Sequence, residues 1–380
     1  MKGWQTKNFS DVLDIKNGRN QKEVESDSGE YPIYGSAGNV MGYANSYICE
    51  AGTTIVGRKG NINSPIYSET RFWNVDTAFG LAAKPGLDSK FLYYYCISFD
   101  FSALNRGTTI PSLVKSELLG ISIPFPPLPE QHRIVAILDA AFDHIATARA
   151  NCEANLLNAR AIFESHLQGV FTQGCKDWHK TKLKDLTSKI GSGATPRGGE
   201  ESYKSEGISL VRSLNIHDFG FKYRKLAYLD DAQANELSNV KLQSQDVLLN
   251  ITGASVARCC IVPENVLPAR VNQHVSIIRP LADKLDAEFL HLLLISKTYK
   301  DQLLQTGSEG GSTRQAITKA QIQDFVIEYP TKVAEQKAIV VKLNTMLAET
   351  QRLESLYQRK LQALDDLKKS LLHQAFSELL

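Results

Sequence analysis

The glycine-rich stretch Gly191-Ser192-Gly193-Ala194-Thr195-Pro196 is the first place to look for chemistry, because a glycine loop can cradle a phosphate on its backbone amides. It lacks the Gly-Lys-Ser/Thr ending that would bring an ammonium and a hydroxyl to the phosphates, so it reads as a turn. The six cysteines, Cys49, Cys96, Cys152, Cys175, Cys259 and Cys260, include no pair at CxxC spacing and form no cluster with histidine. They read as free thiols in a reducing cytoplasm, with no zinc site. His217 and His274 stand alone and read as structural or hydrogen-bonding side chains. There is no HExxH, no nucleophile elbow and no kinase set. Pro126-Pro127-Leu128 does not match the Asn/Asp-Pro-Pro-aromatic motif of amino-methyltransferases. The chain reads as a binding or positioning protein.

Composition agrees with an ordinary globular chain. The 380 residues suffice for two or three domains, and apolar (43%) and charged (22%) contents are unexceptional. No run of eighteen apolar residues exists, so no transmembrane helix and no membrane partner are expected. The first residues, Met1 to Thr6, lack an apolar signal core, and the expected location is the cytoplasm. A net charge of +2 is not the strongly basic balance typical of a nucleic-acid binder. If nucleic acid is the ligand, the positive charge is local or a partner supplies it.

Two stretches organise the chain, and they are copies of each other. One opens Glu130-Gln131-His132-Arg133-Ile134, the other Glu335-Gln336-Lys337-Ala338-Ile339, and the match holds register for about 42 residues, to Phe171 and Phe376. In the second, Ile339, Leu343, Met346, Thr350, Leu353, Tyr357, Lys360, Leu364, Leu367 and Leu371 alternate at four and three residues, the spacing of a coiled-coil seam. The first keeps that rhythm through Ile134, Leu138, Ala141, Ile145, Ala148 and Cys152, then less strictly through Leu156, Ala159, Phe163, Leu167 and Val170. Each predicts a helix roughly 63 Å long at 1.5 Å per residue. Pro129 suits a helix start, and Glu130 and Glu335 complement the dipole of a first turn. The partner that a lone apolar stripe needs is its own copy; the shared register argues against two unrelated amphipathic helices.

The flanking segments repeat as well. Residues 1–127 show short β-like runs punctuated by glycine, such as Thr53-Thr54-Ile55-Val56 and Phe79-Gly80-Leu81-Ala82. Phe91 to Ile97 reads as a buried helix, Arg106 to Leu113 as a polar loop, and Leu118 to Phe125 as a final strand. In the second segment, 174–332, Trp178 answers Trp4, and Lys182 to Leu186 answers Asn8 to Val12. Gly311-Ser312-Thr313 answers Gly107-Thr108-Thr109, Lys319 answers Lys115, and Phe325 to Pro330 answers Ile121 to Pro126. Ser209 to Arg212, Asp246 to Ile251 and Asn272 to Ile278 read as strands. This copy is longer in its middle by about thirty residues. The expected fold class is α+β: two tandem globular domains, 1–127 and 174–332, separated by two long antiparallel helices, 128–173 and 333–380, that form an intramolecular coiled coil.

The chain resembles the specificity subunits of type I restriction-modification systems. The resemblance rests on Pro127 to Gln131 with Ala334 to Gln336, on Gly57 to Ile62 with Phe72 to Gly80, and on Leu249 to Ser255 with Val271 to His274. Each motif alone is weakly specific; their two-fold arrangement over the whole chain is strongly so. The resemblance implies two target-recognition domains, each reading half of a split site in double-stranded DNA. It implies that the helices act as a ruler for the unread spacer and as the dock for two methyltransferase subunits. It implies no catalysis and no cofactor in this chain: S-adenosylmethionine belongs to the methyltransferase partner, which methylates adenine, and ATP and Mg to an optional restriction subunit. Within that frame the candidate DNA-facing residues are Arg58, Lys59, Asn61, Arg106, Thr108 and Thr109 in the first domain. In the second they are Arg212, Asn215, Asn250, Thr252, Asn272, Gln273 and Arg314. Arginine can grip the guanine edge with two donors, and Asn or Gln the adenine edge. Any of them can instead cap a turn, and Asn250 and Asn272 flank apolar strands. The competing class is a scaffold that joins two ligand-binding globules and reads no DNA.

Overall fold

The computed structural model describes residues 3–172, 178–308, 316–377 and 380. The chain separates into two compact units, residues 1–154 with 357–380, and residues 155–356. Two long helices, α4 (Leu128–Thr172) and α9 (Val333–Phe376), each contribute one half to either unit.

In the first unit the elements preceding α4 are β1 (Gln5–Asn8), α1 (Phe9–Val12), β2 (Leu13–Asn17), β3 (Tyr31–Tyr34), β4 (Val40–Ala44), β5 (Thr53–Gly57), β6 (Ile66–Ser68), β7 (Trp73–Asn74), β8 (Ala78–Ala83), α2 (Ser89–Ser98), α3 (Lys115–Leu119) and β9 (Ser122–Phe125). One sheet has the order β2-β8-β5-β6 and the other β4-β3-β7, with β3 and β7 parallel. β1 and β9 pair antiparallel, Gln5 opposite Phe125, so the globule's first and last strands form one stem. Every residue of β5 is buried, as its β-branched Thr-Thr-Ile-Val run allows. The core gathers Phe9, Phe79, Phe91 and Leu92 with Ile134 and Leu138 of α4 and Leu372 and Ala375 of α9. Phe91 meets Phe376 edge-on at 5.2 Å.

The second unit repeats this plan. It holds β10 (His179–Lys182), β11 (Thr187–Ser192), β12 (Ile208–Val211), β13 (Ile216–His217), β14 (Gly220–Phe221), β15 (Ala227–Leu229), α5 (Asp231–Glu236), β16 (Val247–Asn250), β17 (Cys259–Ile261), β18 (Ala269–Val271), β19 (Val275–Pro280), α6 (Ala287–Ile295), α7 (Lys297–Ser308), α8 (Lys319–Asp324) and β20 (Val326–Tyr329). Its sheets, β11-β19-β16-β17 and β15-β12-β18, reproduce the two orders above, with β12 and β18 parallel. β10 pairs antiparallel with β20 as β1 does with β9. Phe289 meets Phe171 edge-on at 5.5 Å, the counterpart of Phe91 with Phe376.

The two helices run antiparallel in each unit. Arg149 meets Asp365 at 2.6 Å in the first, and Arg160 meets Glu354 at 2.5 Å in the second. All predicted seam positions of α4 are buried or half-buried. In α9 the seam holds from Ile339 to Tyr357, but Lys360 is exposed and Leu367 is 47% exposed. A straight α-helix drifts relative to a 3.5-residue repeat. Its last turns here also face a globule, which takes Leu372 and Ala375 instead.

The repeated glutamine has a structural reason. Gln131 is fully buried; its Oε1 accepts from the Asp88 amide at 2.7 Å, and its Nε2 donates to Gly86 O (3.0 Å) and Pro126 O (2.8 Å). Gln336 does the same with the Asp286 amide (2.7 Å), Lys284 O (2.9 Å) and Pro330 O (2.8 Å). Asp88 and Asp286 then cap α2 and α6 by accepting from Phe91 N (2.8 Å) and Phe289 N (3.0 Å).

Some local expectations are corrected. Phe91 to Ile97 is helical, within α2, as read. Leu118 belongs to α3, and the strand starts only at Ser122 after Gly120 ends the helix. Asn272 to His274 is a turn preceding β19, because the Asn272 side chain accepts from the His274 amide at 3.1 Å and offers the backbone an alternative to the ladder. Cys175 and Gly311 to Thr313 lie outside the described residues, whose five other cysteines are unpaired. Among the described residues no helix is long and apolar enough to cross a membrane.

Gln131→Ala and Gln336→Ala should each cost about 1–3 kcal/mol, because three backbone groups lose their partner, of which the Pro126 and Pro330 carbonyls are on buried residues; chemical denaturation measures it. A second expectation concerns acid. His291 is enclosed in the second unit, where its Nε2 donates to Asp218 O (2.8 Å) and Cys259 O (3.2 Å), and burial lowers its pKa below the ordinary histidine range. The unfolded chain protonates this imidazole near pH 6.5 and the folded chain only lower, so the unfolded state binds more protons in between. Stability should therefore fall as pH drops below about 6.5, by at most about 1.4 kcal/mol per pH unit from this group. His291→Gln keeps a donor without titrating and should flatten that fall in denaturation midpoints between pH 7 and 5.

Candidate functional site

In the first unit four loops meet at one edge of the β2-β8-β5-β6 sheet. β2 runs into Gly18 and Arg19, β5 into Arg58 to Asn61, β7 into Val75 to Thr77, and the 105–113 loop lies against them. Backbone bonds lace them together: Arg19 N to Asn74 O (2.9 Å), Arg58 N to Thr77 O (2.7 Å), Gly60 N to Pro111 O (2.9 Å) and Leu113 N to Arg58 O (2.8 Å). Asn105 Oδ1 accepts from the Gly107 and Ser112 amides at 2.9 and 2.8 Å, which shapes the last loop. The approach is so close at Gly18 that a Cβ there would stand 1.8 Å from Val75 O.

The sequence-predicted residues of this unit all lie on these loops. Lys59, Asn61, Thr108 and Thr109 are exposed. Arg58 is half-buried, with Nη1 donating to Asp76 O at 3.4 Å and its guanidinium 5.8 Å over the Phe79 ring. Arg106 is exposed but held by Glu117, Nε to Oε1 at 2.7 Å. Ile110, 61% exposed, stands beside the two threonines.

The second unit builds the same edge from β11, β16 and β18. Gly193 N donates to Asn272 O at 3.2 Å, and a Cβ at Gly193 would stand 1.7 Å from Val271 O, the counterpart of Gly18 and Val75. Thr252 Oγ1 lies 2.6 Å from His274 Nδ1, Gln273 Nε2 lies 3.1 Å from His274 Nε2, and Thr195 Oγ1 donates to Gln273 Oε1. Four polar side chains thus converge, and the edge is continued by Ile317 N donating to Ile251 O at 2.8 Å.

The remaining predicted residues of this unit brace the edge. Asn250 and Asn215 are fully buried and Asn272 is 5% exposed. Asn250 Nδ2 donates to Ser213 O (2.9 Å) and Ser255 Oγ (3.1 Å); Asn215 Nδ2 donates to Lys222 O (2.8 Å). Arg212 folds back on Glu200 (2.6 Å) and Lys225 O (2.8 Å), 5.1 Å over the Tyr203 ring. Arg314 lies outside the described residues. Sequence reasoning did not single out Arg19 and Thr195, which lie on these loops beside glycines. The run from Gly191 to Pro196 is not the turn expected: Gly191 and Ser192 end β11, and 193–196 cross the site as a loop without a turn.

Among the described residues no group of His, Cys, Asp and Glu is arranged to hold a metal. Both units offer donors and acceptors on glycine loops over a braced sheet edge, and the first adds the exposed cations Lys59 and Arg106.

The comparisons with known proteins agree with that reading. Residues 1–154 and 175–362 match the family described as Type I restriction modification DNA specificity domain. The chain is 24% identical over 357 residues to the Type I restriction enzyme EcoBI specificity subunit of Escherichia coli, covering 85% of this chain and 72% of that one. It is 25% identical over 329 residues to the MjaVIII specificity subunit of Methanocaldococcus jannaschii, covering 80% and 72%. It shares its fold, at a TM-score of 0.79 and 19% identity over 100% of this chain and 99% of the other, with a chain solved in work on complex assembly and conformational transition of the type I R-M system. The protein belongs to the type I restriction-modification DNA specificity family and is a specificity subunit, the non-catalytic recognition component of such a system.

Proposed function

We propose that residues 1–127 and 174–332 each read one half of a bipartite double-stranded DNA target, and that residues 128–173 and 333–380 set the spacer between the halves. The observation that carries this reading is the duplicated loop edge. Two sheets of the same strand order each present glycine loops bearing base-reading side chain types, with Gly18 and Gly193 in equivalent close approaches. Duplicated readers suit a split site, since half-sites about one helical turn apart present equivalent grooves to related domains. Linking two weak readers also makes the second contact intramolecular.

In this proposal Lys59, Asn61, Thr108 and Thr109 contact DNA in the first half, with Arg58 and Arg106 released from Asp76 and Glu117 on binding. Thr252 and Gln273 do so in the second half, with Arg314, while Asn215, Asn250 and Asn272 hold the loops and Arg212 anchors their flank. The helices dock two methyltransferase subunits, which carry S-adenosylmethionine and flip and methylate adenine. A restriction subunit using ATP and Mg is an optional third component. The small net charge of +2 fits a division of labour in which those partners neutralise many of the phosphates.

Methylome sequencing of cells expressing this chain with its cognate methyltransferase should show a split adenine-methylated motif that is absent without the chain. Exchanging residues 1–127 for those of a relative should change one half of that motif and leave the other. No chain-dependent motif, with an active methyltransferase present, would overturn the reading. Gly193→Ala should push the Asn272 turn aside and depress methylation at the native motif by about 5- to 150-fold, the 1–3 kcal/mol scale of a lost base contact. Gly18→Ala should do the same through the other half, with partner assembly retained on a sizing column.

A further inference from the structure

The second unit carries a hairpin where the first has a short turn. Residues 35–39 alone join β3 to β4, whereas residues 212–226, which include β13 and β14, join β12 to β15. The hairpin leans on the edge strand β17. Cys259 N donates to Asp218 Oδ1 at 3.1 Å, and the other carboxylate oxygen is ion-paired with Lys300 of α7. The carboxylate of Asp218 is therefore engaged inside the unit.

Between the hairpin and Arg258 lies an open pocket of about 450 Å³, lined by His217, Phe219, Phe221, Lys222 and Arg258 around Asp218. Lys222 and Arg258 form no ion pair among the described residues. Their charge is nonetheless felt locally: burial first, then Lys222 and Arg258, lower the pKa of His217 below the ordinary histidine range. The hairpin reads Phe219-Gly220-Phe221-Lys222-Tyr223-Arg224-Lys225, cations interleaved with aromatics, and Phe219 and Tyr223 are about half exposed. Two like charges over a concave surface whose one carboxylate, Asp218, is already paired with Lys300 favour an anionic ligand. The pocket also adjoins the loop edge, because Arg258 O accepts from Asn250 N at 2.8 Å and Ser213 O from Asn250 Nδ2 at 2.9 Å.

We propose that this pocket clamps one DNA backbone phosphate beside the second half-site, with Lys222 and Arg258 as its cationic jaws. The inference rests on the DNA-reading function proposed above. Such a contact fixes the second domain on the duplex without reading sequence. The first unit has no hairpin at this position, so the grip is one-sided.

The test is the salt dependence of duplex binding by the assembled complex of this chain with its methyltransferase, using a labelled duplex bearing the methylated motif. Lys222→Gln with Arg258→Gln should weaken binding about tenfold near physiological salt and make the log–log salt slope shallower by about 1, with the methylated motif unchanged. Lys222→Arg with Arg258→Lys should keep the wild-type slope. Lys180→Gln with Lys297→Gln, which removes two cations that are already ion-paired with Glu328 and Asp301, should leave the slope unchanged. Thermal unfolding and sizing confirm that each variant is folded and assembled. A wild-type slope in the doubly neutralised variant overturns the clamp while leaving the DNA-reading function standing. So does a loss confined to assembly, which would make the pocket's anion an acidic partner surface. Failure of the wild-type complex to prefer its motif duplex overturns the parent function itself.

Discussion

A single buried amide, used twice, holds each globule to a long helix. Gln131 and Gln336 each accept one backbone hydrogen bond and donate two, and so fix the start of α4 or α9 to the loop before α2 or α6 and to the strand that ends the globule. An amide is the side chain that suits the position. It carries a donor and an acceptor at one end, uncharged, and burial leaves no orphan among its partners. A carboxylate would face two carbonyl oxygens, and an apolar side chain would abandon three backbone groups. Because Asp88 and Asp286 pass the constraint on as helix caps, the helix direction, the cap and the globule's last strand are set together.

Around this fixed joint the two units are built from the same parts. Each core takes an aromatic from the far end of a long helix, Phe376 in one and Phe171 in the other, so each core is completed by helix halves distant in sequence. The ion pairs along the helices, Arg149 with Asp365 and Arg160 with Glu354, are largely solvent-exposed. Pairs of that kind contribute on the order of 0–1 kcal/mol and serve register more than strength. Apolar contacts such as Leu343 with the globule core carry the packing.

The repeat, the two long helices and the α+β class were legible because they are periodic, and a register sustained from Glu130 to Phe171 leaves a mark that local irregularity does not erase. The seam of α4 was readable throughout, whereas Leu367 of α9 was not. Its exposure depends on where a straight helix leaves its partner and meets a globule, which spacing alone does not encode. The candidate site was legible in its loops but less so in its residues. Asn215 and Asn250 have the side chains of base readers, yet tertiary packing turns them inward to brace backbone. Gly18 and Gly193 matter for what they lack, a Cβ, and only the fold shows the carbonyls of Val75 and Val271 lying against them. The FGFKYRK hairpin carried a plain aromatic–basic signature in the sequence, hidden only by its position in the divergent middle of the second copy.

The β1–β9 and β10–β20 stems make the chain enter and leave each globule side by side. A segment grafted between two adjacent ends can lengthen, shorten or change its surface without shifting whatever stands beneath it. That is how the second copy accommodates a hairpin and extra loops while β20 still meets α9 as β9 meets α4.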